Sequence, residues 1–337
     1  MTAPRTTGQL GRKPNAGRPR IRLTTDHVPA AYTPPATLDR WSAIPAGTIG
    51  MDGNDAVGDC TCADVDHEVK SVQVAAGNPE VASTAAEVLA AYSAITGYNP
   101  ADPSSDQGAE MQAVREYWQK TGFALGGQVH QVLLFAELDI HNDNLVKWAL
   151  DQIGAVGIGV NFPRSAMDQF NADQPWDVVS DDGGIEGGHA VAVVGYDATY
   201  WYVITWGQVQ KVTPAWFRAY VEEAWVSLAA DFVNAHSGED PLGGTLFDLG
   251  AQFSALTGQP NPVAPPVPAP TPVPPVPSPS PVPVPSPPAP TPSPSPAPDA
   301  ADMALVATLG PWSREHHIGR NEVAARAFQS WRVAKGL

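Results

Sequence analysis

The chain has 337 residues and a net charge of −16, which excludes nucleic acid as a partner of most of its length, because phosphate would be repelled. The charge is uneven: residues 1–25 carry six Lys/Arg and no acid, whereas residues 26–259 carry 31 Asp/Glu against eight Lys/Arg. No run of 18 apolar residues occurs, so the sequence predicts no membrane span. The first 30 residues lack the apolar core of a signal peptide.

Proline divides the chain into segments. Residues 260–298 hold 21 of the 36 prolines, and proline fits neither a helix interior nor a sheet interior, so we expect an extended polyproline-II spacer. The predicted organisation is a basic, Pro-containing arm over 1–40, a globular domain over 41–258, a Pro-rich linker over 259–299 and a short helical tail over 300–337. For the basic arm we expect a solvated end, with contact to an acidic surface or to nucleic acid as the alternative.

Helical patterns dominate the first half of the domain. A helix is predicted from Cys60, because apolar residues recur in steps of three and four from Cys62 to Ala76, which is typical of one buried helix face. Three more helices are predicted from their polar starts and glycine stops: Ser83–Gly97, Gly108–Gly122 and Asn142–Gly154.

The second half is rich in strands. A strand is expected at 130–138, and further β-rich runs follow, interrupted by Gly and Asp: Ala155–Phe162, Gly188–Asp197, Tyr200–Trp206 and Gln208–Thr213. Helices followed by an antiparallel sheet predict an α+β domain with two lobes. Sites in such folds lie between the lobes.

The two cysteines, Cys60 and Cys62, stand one residue apart where a polar loop runs into the first helix. Cys60 follows Gly-Asp at the helix start, where the helix dipole and a free backbone N–H can support a thiolate and an oxyanion. Asn54 lies six residues upstream and can supply a second oxyanion donor. Cys62 falls on the apolar stripe, so it is predicted to be core.

A general base must come from elsewhere in the chain. His67 lies two turns along the same helix, about 10.5 Å from Cys60 in rise, too far to take its proton. His189 opens the most regular strand pattern, after "GGIEGG", whose glycines allow a neighbouring backbone to approach closely. We therefore predict that His189 pairs with Cys60.

Taken together, "NDAVGDC", "GGHAVAVVGYD" and "YVITWG" resemble the papain family of cysteine peptidases, of the kind found in actinobacteria and their phages. The match covers about residues 50–225. The resemblance implies a papain-like two-lobe α+β fold with a central Cys-bearing helix, and it implies roles for four residues: Cys60 as nucleophile, His189 as general base, Asn54 as oxyanion amide and Trp206 as the tryptophan of the cleft wall.

One position departs from the family pattern. Aligning Trp206–Gly207 with the family's Trp-Gly places Ile204 where the Asn that orients the histidine belongs. Isoleucine cannot hydrogen-bond an imidazole, so we expect the orientation of His189 to depend on packing or on another group, such as Asp197. Loss of the orienting Asn lowers the rate without abolishing a Cys–His dyad.

No cofactor or metal is expected. The set Asp59, Asp64, Asp66 and His67 has no recognised ligand spacing, and we interpret it as a solvated helix face.

Three functions are consistent with the sequence. The first is a papain-like peptidase acting on a peptide or protein substrate, and the second is a weak or inactive papain-like module in a virion or surface appendage, anchored through its Pro-rich stalk and residues 300–337. The third is a peptidoglycan amide hydrolase. With no signal peptide, the expected location is cytoplasmic or virion-associated.

Overall fold

The computed structural model describes residues 8–23, 28 and 32–263. The predicted tail over 300–337, and the predicted linker beyond residue 263, lie outside these residues. Within them, no helix is both long and apolar enough to cross a membrane.

The described helices are α1 (Cys60–Ala75), α2 (Ala85–Thr96), α3 (Met111–Lys120), α4 (Asp143–Gln152), α5 (Arg164–Asn171), α6 (Pro214–Tyr220) and α7 (Leu246–Thr257). The strands are β1 (Arg12–Lys13), β2 (Arg22–Leu23), β3 (Leu38–Asp39), β4 (Ala109–Glu110), β5 (Phe123–Leu125), β6 (Gln128–His130), β7 (Val132–Leu138), β8 (Ala155–Pro163), β9 (Ile185–Tyr196), β10 (Trp201–Thr205), β11 (Gln208–Val212) and β12 (Val221–Ala229). The order confirms the predicted α+β class, with helices before most of the sheet.

The predicted helix ends have the expected chemistry. Thr84 and Glu87 form a capping box at the start of α2, and Gly97 ends it in the left-handed conformation at φ 78°. Asn142 caps α4 by accepting from the backbone N–H of Asn144.

One eight-stranded sheet organises the domain. Its order is β11-β10-β9-β8-β12-β7-β2, and β3 pairs with the last two residues of β9, Gly195 and Tyr196. All these pairs are antiparallel except β2 with β7. The sheet includes β7 from the strand predicted at 130–138 and the strands predicted at 155–162 and 188–213, whereas β12, between β8 and β7, was not predicted.

Helix α1 packs against β8 and β9 in the middle of the domain. Its apolar stripe, which includes Cys62, Val65 and Val69, is fully buried in the main hydrophobic core. The prediction that Cys62 is core is therefore confirmed. Because every residue from Cys60 to Val72 is buried, the other faces of α1 are buried as well.

The prediction of a solvated face on α1 is wrong. Asp59, Asp64, Asp66 and His67 are all at most 2% exposed. Helical spacing identifies the apolar face of a helix, but it does not show that other elements cover the opposite face.

Candidate active site

The start of α1 places Cys60 beside the strand that carries His189. Cys60 is the first residue of the helix, and the backbone amides of Gly11 and Ala190 lie close enough to its thiol to oppose the rise in its pKa. Ala190 follows His189 on β9 and belongs to the same apolar cluster as Cys60. The structure thus places Cys60 against the residue that follows His189, and the pairing of Cys60 with His189 itself stays a prediction.

The His189 ring is held from two sides. Its Nε2 lies 2.7 Å from Oγ1 of Thr205, and the indole of Trp206 stacks on it at 4.7 Å between ring centroids. Its Nδ1 has no hydrogen-bond partner among the described residues. One ring nitrogen is therefore tied, and the other is available to exchange a proton.

Thr205 is the residue that sequence reasoning missed. Ile204 is fully buried in a small cluster with Ala192 and Val194, so it makes no polar contact with the ring, as expected. Asp197 is not the substitute: it accepts from the Tyr202 hydroxyl and from the turn amides of Thr199 and Tyr200. The signal available in the sequence was the hydroxyl of Thr205, next to the expected position.

Asn54 completes the group through Trp206. The indole Nε1 donates to Asn54 Oδ1 over 2.8 Å, which fixes the direction of the amide. Asn54 Nδ2 then donates to the carbonyls of Val57, at 3.0 Å, and of Gln9, at 3.1 Å. A carbonyl from the N-terminal arm thus occupies the amide donor that the family resemblance assigns to an oxyanion.

Residues 8–13 of the arm lie along the whole site. The Gln9 N–H donates to the Asn54 carbonyl at 2.6 Å, the Gly11 carbonyl accepts from the Ala109 N–H at 2.9 Å, and Arg12–Lys13 pair as β1 with β4. A Cβ on Gly11 would overlap the carbonyl of Gly58, and one on Gly188 would overlap the carbonyl of Arg12. Gly188 thus permits the close approach of a backbone that "GGIEGG" predicted, and Gly11 permits a second one that was not predicted.

The expectation of a solvated arm is wrong for the described residues 8–23, and contact with an acidic surface is the correct alternative. The surface belongs to the chain's own domain. Arg12 pairs with Glu222 and Glu223, Arg18 with Glu110 and Glu116, and both Arg20 and Arg22 with Glu137.

Under the arm, Cys60 and His189 are each only 1% exposed, which sets their protonation. Burial raises the pKa of the Cys60 thiol to about 12, against weaker opposing effects of the Gly11 and Ala190 amides. Burial, with the positive charges of His67 and Arg12, lowers the pKa of His189 to about 3. The thiolate expected from the helix dipole is therefore outweighed, and both groups are neutral at pH 7.

A layer of buried charge runs along the rest of α1. Arg115 of α3 pairs with both Asp64, at 2.8 Å, and Glu68. The absence of a side chain at Gly157 on β8 leaves room for these three groups. Burial raises the pKa of Asp64 and Glu68 even though Arg115 opposes it.

The second half of this layer has the ligand types of a metal site. Asp52, Asp66 and His67 offer ligand atoms within 4.8 Å of one another. However, the Lys70 ammonium lies 2.6 Å from Asp66 Oδ2 and donates to the Thr48 carbonyl, and His67 Nε2 lies 3.0 Å from Asp52 Oδ2. Burial lowers the pKa of His67, but its bond to Asp52 outweighs this and raises the net value. Lys70 and His67 thus already pair with these carboxylates.

Comparison with known structures gives a fold for the chain. Xylellain, a cysteine protease from Xylella fastidiosa, matches with a TM-score of 0.50 at 15% identity, over 67% of this chain and 98% of that one. A procathepsin B from Trypanosoma congolense matches with a TM-score of 0.47 at 14% identity, over 65% of this chain and 86% of that one. No protein-family model and no curated protein matches the sequence. The likeness to xylellain shows that the fold is papain-like.

Proposed function

We propose that the protein is a cysteine peptidase whose site is latent while residues 8–13 occupy it. The observation that carries this proposal is the hydrogen bond between His189 Nε2 and the Thr205 hydroxyl. It supplies the third group that the sequence lacks at Ile204, and it leaves Nδ1 free on a ring whose neighbour along β9, Ala190, packs against Cys60. A histidine fixed at one nitrogen and free at the other suits general acid–base work.

The proposed reaction begins when the arm leaves. Solvent then reaches Cys60 and His189, and the Arg12 charge that disfavours an imidazolium is removed, so proton transfer from the thiol to Nδ1 becomes less costly. The sulfur attacks the carbonyl carbon of a peptide bond, and the oxyanion accepts from Asn54 Nδ2 and the Cys60 N–H. His189 returns the proton to the leaving amine, and water hydrolyses the thioester.

The arm contact itself supports this assignment of Asn54. The Gln9 carbonyl accepts from Nδ2 at 3.1 Å, so an extended backbone in the cleft already presents a carbonyl to this amide. The arm runs parallel to β4 and continues into the buried side chain of Arg12. A peptide substrate of similar extended shape fits the same channel.

Displacing the arm tests the proposal. In the full chain, Gly11→Val places a branched Cβ against the Gly58 carbonyl, so residues 8–13 can no longer seat. We expect iodoacetamide to alkylate Cys60 of this variant selectively over Cys62, and the variant to cleave casein, whereas the native chain does both at least tenfold more slowly. Adding His189→Ala should abolish both gains.

The controls separate chemistry from folding. Ala16→Val is the control within the arm, because Ala16 is exposed, whereas a Cβ on Gly11 would overlap the Gly58 carbonyl. Cys60→Ser removes the thiol, and Cys62→Ala removes its neighbour. If Cys60 of a folded Gly11→Val chain does not react with iodoacetamide, the proposal is wrong.

The burial of both reacting groups also favours a second candidate, a papain-like module without catalysis that serves a virion or surface assembly. Neutral Cys60 and His189 under a seated arm are what such a module requires. It predicts that Gly11→Val leaves Cys60 unreactive, and that deleting residues 300–337 releases the protein from particles. Digestion of peptidoglycan without casein cleavage would instead indicate the amide hydrolase.

A further inference from the structure

The side chain of Arg12 fills a pocket that the arm has to leave empty for substrate to enter. Its Nη1 donates to Glu223 Oε1 at 2.8 Å, and its Nη2 donates to Glu222 Oε2 at 2.6 Å and Asn161 Oδ1 at 3.0 Å. The guanidinium is 1% exposed, as is expected of a group inside the protein and not of a surface ion pair.

This pocket, which we call the Arg12 pocket, adjoins the proposed nucleophile. Met111 and Trp225 belong to the apolar cluster that contains Cys60, and the Trp225 indole donates to Glu223 Oε2 at 2.8 Å. Gly159 pairs with Glu223 across β8 and β12, and a Cβ there would lie 2.6 Å from Arg12 Cδ. The missing side chain at Gly159 thus makes room for a long aliphatic stem.

The pocket is built around a negative charge that needs a partner. Glu223 is 4% exposed and has two partners, the Arg12 guanidinium and the neutral Trp225 indole. A buried carboxylate that loses its only cation is costly, because desolvation is no longer compensated. When the arm leaves, Glu223 loses its cation. A substrate whose side chain supplies a new cation to Glu223 removes this cost and is therefore bound preferentially.

The acceptor geometry distinguishes between cations. Glu223 and Glu222 take different nitrogens of the guanidinium, and Asn161 shares Nη2. The planar guanidinium of arginine can donate to several acceptors at different positions at once. The ammonium of lysine is a single point charge on a flexible stem and matches this arrangement less well.

From this we infer that the Arg12 pocket is a specificity site for the side chain of an arginine in the substrate peptide, with lysine second and neutral side chains disfavoured. The inference rests on the proposed peptidase function and adds the substrate class. The seated arm therefore presents to the pocket the side chain that the substrate presents later.

The test uses two peptides that differ only in arginine against norleucine at one position near the cleaved bond. In the full-length Gly11→Val chain we expect kcat/KM to favour the arginine peptide at least tenfold. Glu223→Gln in the same background should bring the ratio close to one. Glu137→Gln is the matched control, since Glu137 is another buried acid that pairs with arm arginines but lies on β7, and it should leave the ratio unchanged.

A ratio near one in the Gly11→Val chain, or a preference that survives Glu223→Gln, would overturn the inference while casein cleavage still supports the peptidase. If no peptide is cleaved, the proposed function fails, and the affinities of the two peptides then test the specificity of the Arg12 pocket. Fluorescence anisotropy of the same two peptides on the Gly11→Val/Cys60→Ala chain requires no chemistry, and equal affinities there contradict the inference.

One further measurement tests the pocket without the Glu223→Gln variant, in case that variant does not fold. On the Gly11→Val chain, propylguanidine should compete with the arginine peptide at concentrations at which butanol does not. Equal effects of the two compounds would count against the pocket.

Discussion

The charge layer of α1 and the cleft at its start bury polar groups in opposite ways. In the layer, Arg115 balances Asp64 and Glu68, and all three groups belong to the body of the domain. In the cleft, Cys60 and His189 are neutral, Trp206 stacks on His189, and an N-terminal arm lies along the site. All groups of the layer belong to the body of the domain, whereas part of the cleft is covered by an arm that we propose can leave.

The largest expected effect breaks the layer. Arg115→Met keeps the volume but leaves two carboxylates without their cation at about 1% exposure. Removing one partner of a buried ion network typically costs about 3–5 kcal/mol of unfolding free energy. Denaturant unfolding should show this loss, and Arg164→Met, at a residue 66% exposed and 3.9 Å from Glu186, should show almost none. Equal losses in the two variants would contradict the comparison.

The layer also shows what the sequence could not reveal. The stripe of Cys62, Val65 and Val69 correctly predicted one buried face of α1, but Arg115 lies in another helix and Gly157 in a strand. Charge pairing between residues that are far apart in sequence leaves no periodic pattern, so the sequence alone predicts a solvated face for these acids.

The second prediction concerns Asp59, which stands between the two regions. Burial raises its pKa to about 8, from an ordinary value of 3.8, and neither carboxyl oxygen has a hydrogen-bond partner among the described residues. Between pH 4 and pH 8 the unfolded state therefore loses a proton that the folded state keeps, so stability is fully present at low pH and falls as pH rises toward 8.

Asp59→Asn cannot ionise, so it should be more stable than the native chain at pH 8. The gain should be on the order of a few kcal/mol, since each pKa unit corresponds to about 1.4 kcal/mol, and it should disappear near pH 4. Thermal midpoints at pH 4, 6 and 8 measure it, and Asp55→Asn, at an exposed position of the same loop, is the control. A gain independent of pH would be against the assignment.

In the cleft, the sequence was informative where chemistry depends on local motifs. Cys60, Asn54, His189 and Trp206 were all named from short patterns. Trp206 contacts both Asn54 and His189, and Cys60 packs against Ala190, although the catalytic roles stay predictions. Thr205 was missed because a hydroxyl one residue along a strand is an ordinary feature. The seated arm was missed because its few apolar residues and many charges are also typical of a solvated end.

The third prediction tests that hydroxyl. Thr205→Val retains the shape of the side chain but cannot bond Nε2, so His189 loses its polar anchor while the Trp206 stack remains. In the Gly11→Val background we expect kcat to fall about tenfold, equivalent to about 1.4 kcal/mol, with little change in KM. Thr205→Ser should restore most of the rate, and a Val variant with full activity would show that packing alone orients the ring.

The smallest effect distinguishes two ion pairs of the same arm. Arg18 is 43% exposed and pairs with Glu116 at 2.8 Å, whereas the Arg12 side chain is 1% exposed and pairs with Glu223. Exposed ion pairs contribute about 0.2–1 kcal/mol, so Arg18→Ala should lower the unfolding free energy by no more than this. For the same reason it should raise the alkylation rate of Cys60, in the otherwise native chain, by no more than about fivefold. Arg12→Ala should speed alkylation far more, since it removes the anchor next to Gly11 and leaves Glu223 unpaired. If the two variants raised the alkylation rate of Cys60 equally, the arm would be held by its overall charge. The proposed contrast, between a permanent charge layer and an arm anchored through the Arg12 pocket, would then be wrong.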